Sequence, residues 1–193
     1  MPASFADVPA AERRRRRFLN VALTTHEGKT VRFYDDLIKD KTVLLNFSYT
    51  NCVSEAVCPL STANLVKVQT LLASRIGRDI FMYSITLDPE HDTPKVLAKY
   101  ARSFGVKPGW LFLTGKPEDI EALRRSLGYA SPDPVEDKDR SQHIGMVRLG
   151  IEPLERWAAC ASLARPEWIV QSLTRLEPKA AAQQDRHGGK SRL

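Results

Sequence analysis

Residues 42–65, TVLLNFSYTNCVSEAVCPLSTANL, restrict the chain more than any other stretch. Val43 to Tyr49 is short, apolar and aromatic, the character of a buried strand. Pro59 suits the first turn of a helix, where a missing N–H costs nothing. The segment therefore predicts a strand, a cysteine-bearing loop and a helix over 59–75, with Cys58 at the N-cap and Leu60, Leu65, Val68 and Leu72 along the helix. Unpaired N–H groups and the helix dipole favour negative charge at an N-cap. The Cys58 thiol is thus expected to ionise more readily than a free cysteine, whose pKa is about 8.5. Taken by themselves, Cys52 and Cys58 also fit small buried hydrophobes.

The rest of the chain alternates around this unit. Asn20–Thr25 and Lys29–Phe33 read as two strands joined at Glu27-Gly28, a hairpin, and Tyr34–Lys39 as one or two helical turns. Asp79–Leu87 and Trp110–Leu113 read as strands. Helices follow at Lys95–Phe104, behind the polar loop Asp88–Pro94, and after Lys116-Pro117, with Ile120, Leu123 and Leu127 as an apolar stripe. Ser131–Ser141, with two prolines, predicts an exposed loop and Gln142–Leu149 a strand. Trp157–Leu163 is an apolar patch containing Cys160, and Pro166 opens a last helix through Trp168, Ile169, Leu173 and Leu176. This order predicts an α/β domain over 18–178: a mixed sheet flanked by helices on both faces, with an N-terminal β-hairpin. A basic segment over 1–17 and a tail over 179–193 are expected to be disordered. Ligands of such sheets bind beyond the carboxyl ends of the strands, where Cys52 and Cys58 lie.

A net charge of +6 invites a nucleic-acid reading, and its distribution argues against one. Nine of the 29 basic residues and three of the 23 acidic ones lie in the two ends, which leaves 20 of each between Phe18 and Pro178. The basic run Arg13, Arg14, Arg15, Arg16 and Arg17 predicts at most a weak attraction to a membrane surface. The apolar stretch behind it, Phe18 to Leu23, is interrupted by Asn20. It falls short of the roughly 7–15 residues of a signal core and the roughly 20 of a spanning helix, so a cytoplasmic location stays open.

Cys52, Cys58 and His143 are the soft or borderline ligands this topology can gather, because His143 opens a strand beside the long loop. Two thiolates and an imidazole suit one copper ion, as Cu(I) or Cu(II). Zinc would want a fourth ligand, from Asp137, Asp139, Glu55 or water. His143 alone also fits a hydrogen-bonded histidine at a strand end. His91, His26 and His187 lie in a polar loop, a turn and a tail, and Cys160 reads as a packed thiol. Cys52 and Cys58 would equally serve a thiol-disulfide oxidoreductase, one attacking a partner disulfide and the other resolving it. The chain has neither a Gly-x-Ser-x-Gly elbow nor a glycine-rich phosphate loop.

At these residues the chain resembles the Sco/SenC family of thioredoxin-fold proteins, which assist assembly of the copper centre of cytochrome c oxidase. The resemblance rests on Gly28-Lys29-Thr30-Val31-Arg32-Phe33, Leu45-Asn46-Phe47 to Tyr49-Thr50, Cys58-Pro59, Ser84-Ile85-Thr86-Leu87-Asp88-Pro89 to Asp92-Thr93-Pro94, and His143. It implies a thioredoxin-like fold and copper held by Cys52, Cys58 and His143. It also implies a reversible disulfide between the two cysteines, a copper-receiving subunit of cytochrome c oxidase or another cuproprotein as partner, and a site that faces the periplasm. A relative that binds no metal and serves as an interaction module is the remaining alternative. The family pattern has three residues between its cysteines, and this chain has five. On a continuous helix six positions span about 9 Å, beyond the roughly 7 Å between Cα atoms that a disulfide tolerates, so residues 53–57 are expected to loop out.

Overall fold

The computed structural model of the chain describes residues 8–52, 57–138 and 145–178. Within them, helix α1 (Ala10–Arg17) precedes strands β1 (Ala22–Thr25) and β2 (Thr30–Arg32), a π-helical turn (Phe33–Ile38) and β3 (Thr42–Ser48). Then come α2 (Val57–Leu72), β4 (Ile80–Thr86), α3 (Pro94–Ser103), β5 (Trp110–Gly115), α4 (Pro117–Ser126) and α5 (Pro134–Lys138). The described chain closes with β6 (Met146–Ile151), β7 (Arg156–Ala161) and α6 (Pro166–Thr174).

The described strands form one mixed sheet in the order β2-β1-β5-β4-β3-β6-β7. The central β3 and β4, and β4 and β5, run parallel; β1–β2, β1–β5, β3–β6 and β6–β7 are antiparallel. Alternation along β3 separates two cores. Val43, Leu45 and Phe47 meet the π-helical turn, Ile120 and Leu123 of α4, and Tyr129 on one face. Leu44 packs with α2, α3 and α6 through Leu65, Val68, Leu97, Ala101, Ile169 and Leu173 on the other. Both faces of the sheet are thus covered, as the alternation of elements predicted, and the hairpin turns at Gly28, whose φ of 81° suits glycine.

Three sequence expectations differ from the structure, each because a distant partner orders a locally weak segment. The first is the N-terminal segment, expected to be disordered through Arg17, in which Ala10–Arg17 is helical. Glu12 in its first turn and arginines in its last complement the helix dipole. Its anchor is Glu152, 1% exposed, which accepts hydrogen bonds from Arg14 Nε at 3.0 Å, the Tyr34 hydroxyl at 2.9 Å and the Asp40 N–H at 2.8 Å. Burial and the Glu152 carboxylate push the Tyr34 phenol up to about 12. Phe18 then packs on Tyr34 and Trp157, with ring centroids 5.9 and 5.1 Å away, and so fixes the exit from α1.

The second is the loop over Ser131–Ser141, in which Pro134–Lys138 is helical. Asp137, its side chain 4% exposed, receives Arg124 through two bonds of 2.7 and 2.8 Å, Arg125 at 2.9 Å and the Ser131 N–H at 2.8 Å. The Arg124 guanidinium holds this carboxyl well below the usual carboxylate range. Asp137 is therefore committed to a structural clasp and does not serve as a metal ligand. The third is the patch around Cys160, which is an edge strand, β7. Its Trp157 ring covers Gly150 on β6 so closely that a Cβ at 150 would overlap it. Residues 139–144 and 179–193, with the expectations placed on them, lie outside the described residues.

Where the hairpin turn meets β5, the His26 N–H donates to Phe112 O at 2.8 Å and the Phe112 N–H donates to His26 Nδ1 at 3.1 Å. The bond to Nδ1 requires that nitrogen unprotonated, and burial, opposed by Glu27 and by the bond to the Phe112 carbonyl and aided by Arg102, lowers the His26 pKa from 6.5. With the folded value below the unfolded one, the stabilisation is complete above pH 6.5 and declines as pH falls beneath it, where the unfolded chain takes up the proton first. Thermal melts between pH 8 and pH 5 should show wild type losing more stability than His26→Gln. A gap between the two that is independent of pH would refute this.

Candidate metal and thiol centre

Strand β3 ends at Ser48, and Tyr49 to Cys52 continue past its carboxyl end. Helix α2 is described from Val57, before the expected 59, so Cys58 is itself helical and not at the N-cap. Cys52 itself is not helical and Val57 is, so of the residues expected to loop out, 57 belongs to the helix and 53–56 lie outside the described residues. Neither cysteine forms a disulfide, the two lie close enough to act on one another, and the Tyr49 backbone N–H bonds to Cys58. Residues 53–56, and with them Glu55, lie outside the described residues.

The expected ease of ionisation at Cys58 is reversed. Its thiol is pushed up to about 12, first by burial, with only 1% of the residue exposed, and further by Cys52 and the charge of Asp92; the Tyr49 N–H opposes these. The helix dipole acts on a group that has lost its water, and desolvation wins. In the metal-free, reduced protein Cys58 is a thiol at neutral pH, and a cation must displace its proton to bind. Cys52 is somewhat more exposed, at 7%.

Asp92, which the family resemblance quotes only within the Asp88–Pro94 motif, acts on Cys58 through its charge. It belongs to the polar loop Asp88–Pro94, yet its side chain is fully buried. The Thr50 N–H donates to Oδ2 at 3.1 Å, the Thr86 hydroxyl to the same oxygen at 2.6 Å, and the Thr50 hydroxyl to Oδ1. Asp92 thereby joins the end of β4 to the segment that carries Cys52. His91 beside it is exposed, as a solvated loop residue should be. Tyr100 on α3 was missed as a neighbour of the site. Its hydroxyl lies 3.0 Å from Thr62 Oγ1, one turn beyond Cys58 on α2, and burial raises its phenol to about 12, with further contributions from Cys58, Cys52 and Asp92. Each makes a contact that no local pattern shows, Asp92 to Thr50 across 42 positions and Tyr100 to Thr62 across 38.

His143 and Asp139 lie outside the described residues. Among the described residues no three His, Cys, Asp or Glu side chains could together hold a metal ion. Gly145, two residues after His143, is described. Its carbonyl accepts the Ser162 N–H at 2.8 Å, and a Cβ built on it would stand 3.5 Å from Val57 Cγ1. Val57 immediately precedes Cys58. Cys160 sits on β7 opposite Val147, and burial raises its thiol pKa.

The SCO1/SenC family model matches residues 12–167, most of the chain. The chain belongs to the SCO1/SenC family. Among curated proteins, the SCO1 protein homolog of Bacillus subtilis is 36% identical over 90 residues, 46% of this chain and 44% of that protein. The chain spans less than half the length of the curated relatives it matches. Among solved structures, Bradyrhizobium japonicum ScoI with copper bound is 28% identical with a TM-score of 0.63, covering 81% of this chain and 96% of that one. BsSco, a member of the Sco family of cytochrome c oxidase assembly proteins for which a disulfide switch is described, is 25% identical with a TM-score of 0.64, covering 81% and 90%. The thioredoxin-like fold of the Sco structures is shared. Family members include a lipoprotein and mitochondrial proteins, and no helix among the described residues is long and apolar enough to cross a membrane.

Proposed function

We propose that this SCO1/SenC protein is a copper-binding assembly factor that delivers one copper ion, through Cys52, Cys58 and His143, to a subunit of cytochrome c oxidase or another cuproprotein. The observation that carries the reading is the contact between the Cys52 and Cys58 thiols at the carboxyl end of β3. Two sulfurs already within hydrogen-bonding reach match the demand of a soft cation for paired thiolates. The packing of Gly145 beside Val57 supports His143 as third ligand, since two residues span at most about 7 Å.

Copper is cargo in this scheme. Its binding releases the thiol protons, and transfer proceeds as ligands of the recipient replace Cys52, Cys58 and His143 one at a time, so that no step leaves the ion bare. The second reading, thiol-disulfide exchange, uses the same contact. The more exposed Cys52 attacks a partner disulfide and Cys58 displaces the partner; two thiols become a disulfide while the partner disulfide becomes two thiols, which balances electrons and protons. The periplasmic or intermembrane side is the proposed setting. The exposed Arg15, Arg16 and Arg17 on the anchored α1 would give weak attraction to an anionic membrane.

Anaerobic Cu(I) titration of the reduced protein against a competing chelator tests this. One ion should bind per chain, His143→Ala should weaken binding, and exchange with a disulfide substrate should persist in that variant. Absence of stoichiometric binding would leave thiol exchange or a metal-free interaction role. Unchanged affinity in His143→Ala would remove the histidine from the ligand set.

A further inference from the structure

A cavity of about 400 Å³ opens between the hairpin turn at His26, the last turn of α3 at Arg102 and the segment 106–110 that leads into β5. Its size is that of a small-molecule site. Strand β5 runs parallel to β4, and β4 to β3, so Trp110 at the start of β5 lies at the opposite end of the sheet from the thiols that follow β3. The cavity is therefore separate from the metal reading. Its walls are fixed by the protein's own bonds. Gln69, 5% exposed, donates from Nε2 to Lys107 O at 2.8 Å and accepts the Lys107 N–H at 3.0 Å. The Trp110 indole donates to Ser84 Oγ at 3.0 Å and stacks on Phe112, and the paired bonds of His26 with Phe112 hold the hairpin side. Walls already ordered spare a ligand the entropy cost of ordering them.

The lining places positive charge beside apolar surface. Among the described residues the exposed Arg102 and Lys107 side chains form no ion pair, whereas the one acid in the lining, Glu27, is taken by Lys29 at 2.9 Å. Arg102 stands near enough to His26 for its charge to act on the imidazole. Because His26 Nδ1 accepts the Phe112 N–H, the neutral ring carries its proton on Nε2, where it is a donor. Ala98, Val106 and Trp110 supply the apolar wall. We propose that this cavity binds a small organic anion, a carboxylate with a flat apolar body, whose charged end meets Arg102 and Lys107 and whose body lies against Ala98, Val106 and Trp110. A guanidinium matches a carboxylate with two parallel hydrogen bonds. Exposed cations alone hold an anion weakly, because water competes for both partners, so the apolar wall must supply the rest of the affinity.

Benzoate titrated into the reduced full chain at fixed ionic strength, followed through the backbone amide resonances, makes the test. The shifts should saturate with a Kd of about 1 mM or tighter and should centre on His26 and residues 98–111. Benzamide, which has the shape without the charge, and acetate, which has the charge without the ring, should each bind about tenfold more weakly or worse. Arg102→Ala removes an exposed side chain that has no ion pair among the described residues, so it spares the fold, and it should cost about tenfold in benzoate affinity. Ala98→Leu keeps every charge and fills the cavity, so it should abolish saturable binding. A thermal melt accompanies each variant. Shifts that grow without saturating, or benzoate affinity unchanged in Arg102→Ala, would overturn the proposal. Equal affinity for benzamide or for acetate would overturn it as well, by removing the charged or the apolar half of the recognition. Wild-type affinity in a folded Ala98→Leu would place the anion on the open surface and overturn the cavity as its site.

Discussion

Replacing either Cys52 or Cys58 with serine should lower Cu(I) affinity by a hundredfold or more and abolish the reversible disulfide. The estimate follows from structural zinc sites, whose four ligands together supply roughly 10–16 kcal/mol, or about 3 kcal/mol per ligand. A serine hydroxyl is a hard donor that keeps its proton, so it does not substitute for a thiolate on a soft cation. The fold should survive. Cys58 is held by the Tyr49 N–H, a bond that a serine oxygen also accepts, and the exchange of sulfur for oxygen changes little volume. Chelator competition with Cu(I), beside a thermal melt, checks both halves. Affinity within threefold of wild type in either variant, with melting unchanged, would sink the assignment of that cysteine as a ligand. Thiol counting after mild oxidation gives the second check: wild type should lose two titratable thiols and each variant none.

Asp92→Ala should destabilise the protein by about 3 kcal/mol. The carboxylate is fully buried and accepts from the Thr50 N–H, the Thr50 hydroxyl and the Thr86 hydroxyl. Its removal strands three donors, and a buried polar group left unsatisfied costs roughly 1–3 kcal/mol, part of which relaxation recovers. For a chain of this length that is a fall in melting temperature of about 6–12 °C. Asp92→Asn keeps one acceptor oxygen and turns an amide against the threonines, so its loss should be smaller. Denaturant melts of the two variants and wild type decide the matter. A loss below about 1 kcal/mol for Asp92→Ala would mean that the loop after β3 is held by something other than this carboxylate.

The two predictions also divide what could and could not be read from the chain. Cys52 and Cys58 announce themselves locally, through an apolar strand before them and a proline after. Asp92 does not. It sits between His91 and Thr93 in a segment whose polarity reads as solvated, and it is buried only because Thr50 and Thr86 close around it. The same holds for Asp137, which a charged, proline-containing segment offers as a surface acid and Arg124 takes into a clasp. His143 carried a local signal, as the only histidine at the head of a strand pattern, whereas the helical spacing of Tyr100 marked it as core and gave no hint of its contact with Thr62.

By itself, the sequence determined the order of elements from β1 to α4 and of β6 and α6, the coverage of both sheet faces, the hairpin at Gly28 and the placement of a cysteine pair beyond the carboxyl end of β3. Hydrophobic periodicity and turn chemistry are local, and they survive any arrangement of the remaining chain. The tertiary structure alone decided that α1 is helical against Glu152, that Pro134–Lys138 is helical against Arg124, and that Cys58 is a protonated thiol where the helix start suggested a thiolate. Each of those outcomes depends on burial and on partners 13 to 138 positions away. Desolvation and long-range pairing are properties of the assembled core, and no window of sequence contains them.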